Sequence, residues 1–248
     1  MGGIYERLAV REAAVTVDLV IFTIRQDELQ LLLIERGKEP YLGELALPGG
    51  FVRDSETLDQ AALRELWEET SLDGHRLHLE QLRTYGDPGR DPRSRIITVA
   101  YLALGAGLPA PAAGSDARAA RWEPVSEALS DPAALAFDHS TIVREALERA
   151  RSQLEYTTVA AAFCPDPFTV GDLRQVYEAV WGFPLDPSNF RRKVTRAERF
   201  LEPTGEHRPA ETGRPAALYR RGTAQLLHPP LLRSGTTARA QFTTPGLR

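Results

Sequence analysis

The stretch from Gly50 to Leu72, GFVRDSETLDQAALRELWEETSL, constrains this chain more than any other. It opens on a glycine turn, Pro48-Gly49-Gly50, and its pattern then predicts a helix over 58–70. Thr57 stands where an N-cap belongs and Gln60 lies three residues on, the pattern of a capping box. At the helical period Leu58, Ala61 and Ala62 share a stripe with Glu65 and Glu69, and Glu68 lies at its edge. Three carboxylates thus gather where small apolar residues would otherwise be buried. They occupy the last turns, where the helix dipole disfavours negative charge, and Glu65 and Glu69 repel each other at i, i+4. An ordinary solvated face is one reading of such a run. The other is a site for a hard divalent cation. Mg²⁺ removes both penalties, because it takes oxygen ligands and usually shares them with a substrate phosphate.

The spacing decides between the two. Gly50, Glu56 after five residues, and Arg64-Glu65-Leu66-x-Glu68-Glu69-x-Ser71-Leu72 after seven more resemble the Nudix box, G-x5-E-x7-R-E-U-x-E-E-x-G-U with U aliphatic. Every fixed position matches except the last glycine, which is Ser71 here. The resemblance implies an α/β/α sandwich around a mixed sheet. It implies catalytic roles for Arg64, Glu65, Glu68 and Glu69. The same three glutamates become candidate Mg²⁺ ligands, with the backbone carbonyl of Gly50 beside them, and Arg64 pairs with Glu56 to orient the site. A glycine at position 71 would end the helix in a left-handed conformation, which serine adopts less comfortably. That departure bears on catalysis, so hydrolysis is left open, and it does not touch the fold.

A chain of 248 residues has room for one large domain or two small ones. It contains no apolar run long enough to span a membrane and no charged-then-apolar leader. The lone cysteine, Cys164, argues against a disulfide framework and fits a reducing cytoplasm. The net charge of −4 hides an asymmetry: from Arg151 onward there are 14 Lys and Arg against 9 Asp and Glu, and before it 16 against 25. An acidic half joined to a basic half suggests two tasks, one of them involving nucleic acid.

The first half, residues 1–150, reads as the Nudix domain. Apolar runs at 15–24 and 29–34 flank Arg25-Gln26-Asp27-Glu28, a hairpin turn. A loop over 37–44 leads to the glycine turn. Strands are expected at 77–85, 95–104 and 119–122, and the Gly/Pro-rich segment 86–93 is loop. A long helix over 138–156 carries Ile142, Val143, Ala146, Leu147, Ala150 and Leu154 on one face. Arg36, at a strand end beside the box, is placed to pair with a diphosphate, though a plain surface arginine reads equally well. Tyr41 either stacks on a base or packs on the core. Asp87, Asp91 and Arg95 border the same side in the Nudix fold. Asp138 and His139 read first as a helix start with Asp138 as N-cap, and second as a base or ligand contact.

The second half, 151–221, begins with an extended piece and Cys164-Pro165-Asp166-Pro167, which cannot be helical. Thr169, with Asp172 three residues on, opens an amphipathic helix bearing Val170, Leu173, Val176, Tyr177, Val180 and Trp181. Gly182-Phe183-Pro184 ends it, and Asp186-Pro187 opens a second helix over 188–200 with Phe190, Val194 and Ala197 on its apolar line. Its other faces carry Asn189, Arg191, Arg192, Lys193, Thr195 and Arg196 as candidate DNA contacts, with Arg199 beyond them. A solvated charged face is the plainer reading. Two helices joined by a tight turn, the second basic, followed by a hairpin with Arg214 at its tip, describe a winged helix-turn-helix. From 222 to 248 the chain is Pro-, Thr-, Arg- and Gly-rich without periodicity, and disorder is expected.

A Nudix domain followed by a winged helix resembles the Nudix-related transcriptional regulators of NAD metabolism, the NrtR family. LALPGGFVRDSETLDQAALRELWEET, TYGDPGRDPRSRIITVAYLAL, AFDH and VYEAVWGFPLDPSNFRRKV carry the likeness, which covers residues 10–221. It implies a homodimer that represses genes of NAD synthesis or uptake from a near-palindromic operator, with ADP-ribose or a related nucleotide as effector. The alternative is a Mg²⁺-dependent hydrolase of ADP-ribose-type diphosphates whose second domain only mediates assembly.

Overall fold

A computed structural model describes residues 12–74, 77–112, 117–131, 133–209 and 215–233. Its axis is β1 (Ala14–Arg25), an apolar run with one charged residue, Asp18, between Val15 and Ile24. Gln26 and Asp27, both at positive φ, turn it into antiparallel β2 (Glu28–Arg36) as a two-residue hairpin. On its other side β1 runs parallel to β6 (Ile96–Leu104), which pairs antiparallel with β5 (His78–Tyr85). The short β3 (Leu45–Ala46) and β7 (Ala117–Pro124) pair with β2, and β4 (Gly49–Phe51) pairs with β1. The sheet is therefore mixed.

Period-2 alternation sends the two faces of β1 to different helices. Val17, Leu19 and Ile21 join Ala61, Ala62 and Leu66 of α1 (Leu58–Thr70) in one apolar cluster. Val20 and Phe22 join Ile142, Val143 and Ala146 of α3 (His139–Tyr156) in another, and the short α2 (Val125–Ala128) adds Val125 and Ala128 to it. Both faces are covered, which is why β1 reads as a continuous apolar run. The α/β/α sandwich around a mixed sheet is thus present.

The second half holds a short 3-10 helix (Val159–Phe163) in place of the expected extended piece, then α4 (Val170–Trp181) and α5 (Pro187–Arg196). β8 (Phe168–Thr169), β9 (Leu201–Arg208) and β10 (Ala216–Arg221) form a three-stranded sheet in the order β8-β10-β9, and β9–β10 is the wing. Both helices start as their sequences predict. Thr169 and Asp172 complete a capping box, and the Asp186 side chain accepts from the Asn189 N–H. α5 stops at Arg196, four residues short of the expected 200. Burial of Phe200 wins over helix continuation: Ala197 leaves the helical region and Arg199 takes a positive φ of 55°, which turns Phe200 into the core.

The helix expected over 138–156 is present as α3, so the boundary drawn at 150/151 lies within a helix that runs unbroken through it and buries Leu154. One apolar cluster spans both halves, taking in Phe22 and Ile142 as well as Tyr177, Phe190 and Phe200. Residues 222–233 are ordered, against the expectation of disorder. Leu227 and Leu231 are buried, and their N–H groups donate to the Tyr156 and Glu155 carbonyls at 2.9 Å. Two well-placed leucines and backbone bonds hold a segment whose composition carries no periodic signal. Residues 234–248 and Arg214 lie outside the described residues. Among the described residues no helix is long and apolar enough to cross a membrane.

α1 spans the expected 58–70, with both bonds of its capping box, Gln60 N–H to Thr57 Oγ1 at 3.2 Å and Thr57 N–H to Gln60 Oε1 at 2.8 Å. It ends on Ser71 at φ 57°, ψ 22°. The left-handed region costs a residue with a Cβ about 1–2 kcal/mol, partly offset by the entropy glycine loses on folding. Ser71→Gly is therefore expected to stabilise the protein by about 0.5–1 kcal/mol, read as a higher urea midpoint at unchanged slope.

Candidate effector cleft and DNA-facing helix

The end of the sheet beside β4 and the start of α3 enclose a cleft of about 470 Å³. One wall is the carboxylate face of α1 with Gly49 and Gly50, and another is Arg36 with Lys38. Asp18, Arg90, Asp91, Arg93, Phe137 and His139 line the rest. Arg64 is the hub of the α1 wall. Its guanidinium donates to Glu56 (2.5 and 2.8 Å), to Glu65 Oε1 (2.6 Å), to Glu68 Oε2 (3.1 Å) and to the Phe51 carbonyl (3.1 Å). The expected Arg64–Glu56 pairing is present, and the hydrogen bond from Arg64 holds the Glu56 carboxyl down to about 2. Glu68 also accepts from Arg53 at 3.1 Å, and Glu69 accepts from the Gly49 N–H at 2.8 Å. Glu65 is buried, and burial pushes its carboxyl above the ordinary range. A Cβ at Gly50 would collide with the Glu65 carboxylate, so the approach of β4 to α1 demands glycine there.

The opposite wall is cationic and aromatic. The Phe137 ring lies between the guanidinium groups of Arg36, 4.6 Å from its centroid, and Arg93, at 5.6 Å. Burial and the nearby Arg93 lower the Arg36 pKa. Deeper in, Arg90 is almost wholly enclosed and donates to Asp138 at 2.6 and 2.9 Å, with Asp18 at 3.4 Å. Asp138 accordingly stands at the N-cap position of α3 without a side-chain capping bond, a correction to the expected cap. Its carboxylate is engaged by Arg90. His139 Nδ1 accepts from the Leu47 N–H at 2.9 Å, which puts the ring proton on Nε2, 3.6 Å from Asp18 Oδ1. The cleft therefore sets arginines against carboxylates on facing walls. Arginines so placed suit the oxygens of a diphosphate.

In the second half Phe190, Val194 and Ala197 point inward as expected. Asn189, Arg191, Arg192, Thr195 and Arg196 are exposed along α5, and Lys193 is half-buried. Arg192 donates to Asn189 Oδ1 at 2.5 Å, and the Thr195 hydroxyl donates to the Arg191 carbonyl. Among the described residues the side chains of Arg191, Lys193 and Arg196 have no hydrogen-bond or ion-pair partner.

A family model of the NUDIX domain matches residues 14–146, and one of the NrtR DNA-binding winged helix domain matches residues 160–221. The chain is 34% identical over 218 residues to the ADPR responsive transcriptional repressor NtrR of Acinetobacter baylyi, across 87% of this chain and 85% of that one. The chain belongs to the NrtR family. The crystal structure of Shewanella oneidensis NrtR complexed with a 27mer DNA superposes with a TM-score of 0.68 at 36% identity, over 84% of this chain and 93% of that one. The NUDIX domain of that protein, complexed with ADP ribose, matches at 36% identity and a TM-score of 0.53, over 59% of this chain and 94% of that one.

In this NrtR-family chain the structure gathers Gly50, Arg64, Glu65, Glu68, Glu69 and Arg36 around one cleft. Two residues expected on the ligand side, Asp87 and Arg95, are elsewhere, and Tyr41 takes the second of its two readings. Tyr41 packs edge-on against Phe137 at 4.7 Å, beside Ile34, Ala46 and Ala136, and so props the cleft wall from behind. Asp87 accepts the Arg90 N–H at its backbone carbonyl in a turn, and Arg95 donates to the Gly86 carbonyl; neither lines the cleft. Asp91, from the same loop, does. Sequence reasoning missed Asp18, Arg53, Arg90, Arg93 and Phe137. Asp18 had a signal, the lone charge in an apolar strand, since a buried carboxylate needs a partner.

His139 supplies a pH test. Burial lowers its folded pKa below the ordinary value, so the unfolded chain takes up a proton more readily. Its stabilising contribution is complete above about pH 6.5 and is lost as pH falls toward the folded value. Urea stability is expected to drop between about pH 7 and about pH 5, and His139→Asn to flatten that slope. Identical pH dependence in both proteins would show that the imidazole is not held neutral.

Proposed function

We propose that this protein is a DNA-binding transcriptional repressor of NAD-metabolism genes, with DNA affinity set by ADP-ribose or a related nucleotide in the Nudix cleft. The observation that carries the reading is the contrast between two groups of cations. Arg53, Arg64, Arg90 and Arg93 of the cleft are all engaged by carboxylates. Arg191 and Arg196 project from the exposed side of α5 without partners among the described residues, and the half-buried Lys193 at the edge of its core side has none either. Unpaired guanidinium groups on a recognition helix suit guanine edges and phosphates. The DNA and ADP ribose complexes of the Shewanella relative support the same assignment. We infer a homodimer on a near-palindromic operator, with half-sites about one helical turn apart or a multiple of it. Its work would lie in the cytoplasm.

In fluorescence anisotropy on operator and scrambled duplexes, ADP-ribose should weaken operator binding by the intact protein. Asn189→Ala or Arg192→Ala should erode discrimination by about 1–3 kcal/mol for each bidentate hydrogen-bond pair to a base that the substitution removes. Arg214→Ala should weaken both duplexes alike and flatten the salt dependence by roughly one phosphate. Wild-type binding by all three variants would remove α5 and the wing from the DNA interface.

The residues also fit Mg²⁺. Glu65, Glu68, Glu69 and the Gly50 carbonyl offer an all-oxygen donor set of the kind a hard cation takes, on the wall of the cleft. Among the described residues no three of these groups converge as they stand, because Arg64 and Arg53 hold Glu65 and Glu68. Bound there, Mg²⁺ would neutralise the carboxylate face and accept diphosphate oxygens. Glu68→Gln should weaken Mg²⁺ binding in calorimetry and leave the fold intact; unchanged affinity would leave the cluster as an ion-pair network around Arg64. The intact carboxylate set also favours a second reading, hydrolysis of an ADP-ribose-type diphosphate. In that reading a carboxylate of this set would accept a proton from the attacking water.

A further inference from the structure

The segment 222–233 lies outside both family-model matches, and it is fastened at three places. It leaves β10 against the end of the recognition-helix unit, where the Gly222 and Ala224 N–H groups donate to the Phe200 and Arg199 carbonyls at 2.8 and 3.0 Å. A Cβ at Gly222 would run into the Arg199 carbonyl, so that closeness requires glycine. It then crosses the junction between the halves, where the Thr158 N–H donates to the Gln225 carbonyl and the Thr158 hydroxyl to the Ala224 carbonyl. It ends on the last turns of α3. Beyond the two backbone bonds from Leu227 and Leu231, the Arg233 guanidinium reaches Glu155 at 2.9 Å and Glu148 at 3.3 Å. Leu231 meanwhile closes a small groove with Trp181 and with Phe190 of α5.

We propose that residues 222–233 are a clasp that couples the recognition helix to α3, so that a change at the effector cleft is felt at the DNA surface. The inference rests on the effector reading given above. α3 is the only helix among the described residues that lines the cleft at one end, through His139, and meets the clasp at the other. Its 18 residues span about 27 Å. At the cleft, Asp138 and His139 are tied to Arg90, Asp18 and the Leu47 N–H. An anionic ligand that draws on Arg90 competes with Asp138 for the same guanidinium, and so acts directly on the start of α3. At the far end α3 holds α4 through the Arg151 guanidinium on the Val180 carbonyl (3.0 Å) and the Trp181 indole N–H on the Arg151 carbonyl (3.3 Å). The α4 contact and the shared core fix where the second half sits. The clasp adds a second line running to α5 and its exit, and two attachments convert a displacement of α3 into a rotation of the recognition helix.

The test uses the full chain, with Arg233→Ala and Leu231→Ala as variants, Arg233→Lys as the conservative control and circular dichroism to confirm folding. Calorimetry measures ADP-ribose affinity, and anisotropy measures operator affinity with and without saturating ADP-ribose. In the wild type the effector should change operator affinity by about tenfold or more, within the usual range for coupled sites. Arg233→Ala should still bind ADP-ribose and operator but show less than about a threefold effect, and Arg233→Lys should keep most of the coupling. A variant that binds both ligands and keeps the full effect overturns the clasp and leaves the effector reading standing. A wild type that binds ADP-ribose without any change in operator affinity overturns the effector reading itself, and the clasp with it. Should Leu231→Ala fail to fold, Arg233→Ala decides the matter, because it removes an ion pair and leaves the apolar packing in place.

Discussion

Three carboxylates on the last two turns of one helix repel one another and face the negative end of its dipole, and the Arg64 guanidinium is the group that lets two of them, Glu65 and Glu68, coexist. It reaches Glu56, Glu65 and Glu68 at once from a largely enclosed position. Much of the first half follows from that requirement. The glycine turn must approach α1 closely enough for the Gly49 N–H to satisfy Glu69, which fixes β4 against β1. Pairing of β4 with β1 in turn places Asp18 beside the cleft, where only a buried cation or a neutral donor can accompany it. Arg90 and His139 supply those two partners. The cleft is therefore a set of mutually compensated charges in which each group depends on another's position, and a charged ligand entering it has to exchange partners.

That electrostatic arrangement reaches the second half because the two halves share a core. α3 contributes Ile142 and Val143 beneath the sheet, and Leu154 and Ala150 belong to the same apolar cluster as Tyr177 and Phe190. Cores of this packing density do not deform continuously, so a shift at one end of α3 is carried as a rigid movement or resisted altogether. Two independent domains on a flexible linker would dissipate such a shift. A continuous helix through the boundary is what makes communication between cleft and DNA surface physically available.

What the sequence disclosed and what it hid follow one rule. Elements defined by local chemistry were legible to the residue or nearly so: the capping boxes at Thr57 and Thr169, the hairpin at Gln26–Asp27 and the apolar lines of α3 and α5. The box carboxylates were legible because their spacing is itself local. Arg90, Arg93 and Phe137 were not, because the parallel pairing of β1 with β6 and the packing of α3 bring them to the cleft from distant loops. Asp87 and Arg95 were placed by likeness to a fold, and here both stand off the cleft wall in the loop ahead of β6. The helix end at Arg196 was missed because Phe200, a residue outside the helix, decides it.

The segment 222–233 shows the same rule at its limit. Composition argued for disorder, since a stretch without periodic apolar residues offers little area to offset its ordering entropy. The protein supplies the missing stabilisation from outside the segment: carbonyls at the end of α3 and just past α5 that lack helical partners accept its N–H groups. Leu227 and Leu231 then need only to cover apolar surface that the helices already present. Order here is a property of the surface to which the chain adheres. It is consequently conditional on the relative position of α3 and α5, since separating the two helices breaks the attachments at one of them. A segment that binds only one arrangement of two helices stabilises that arrangement by its own binding free energy, which is the thermodynamic requirement for an element that links two sites.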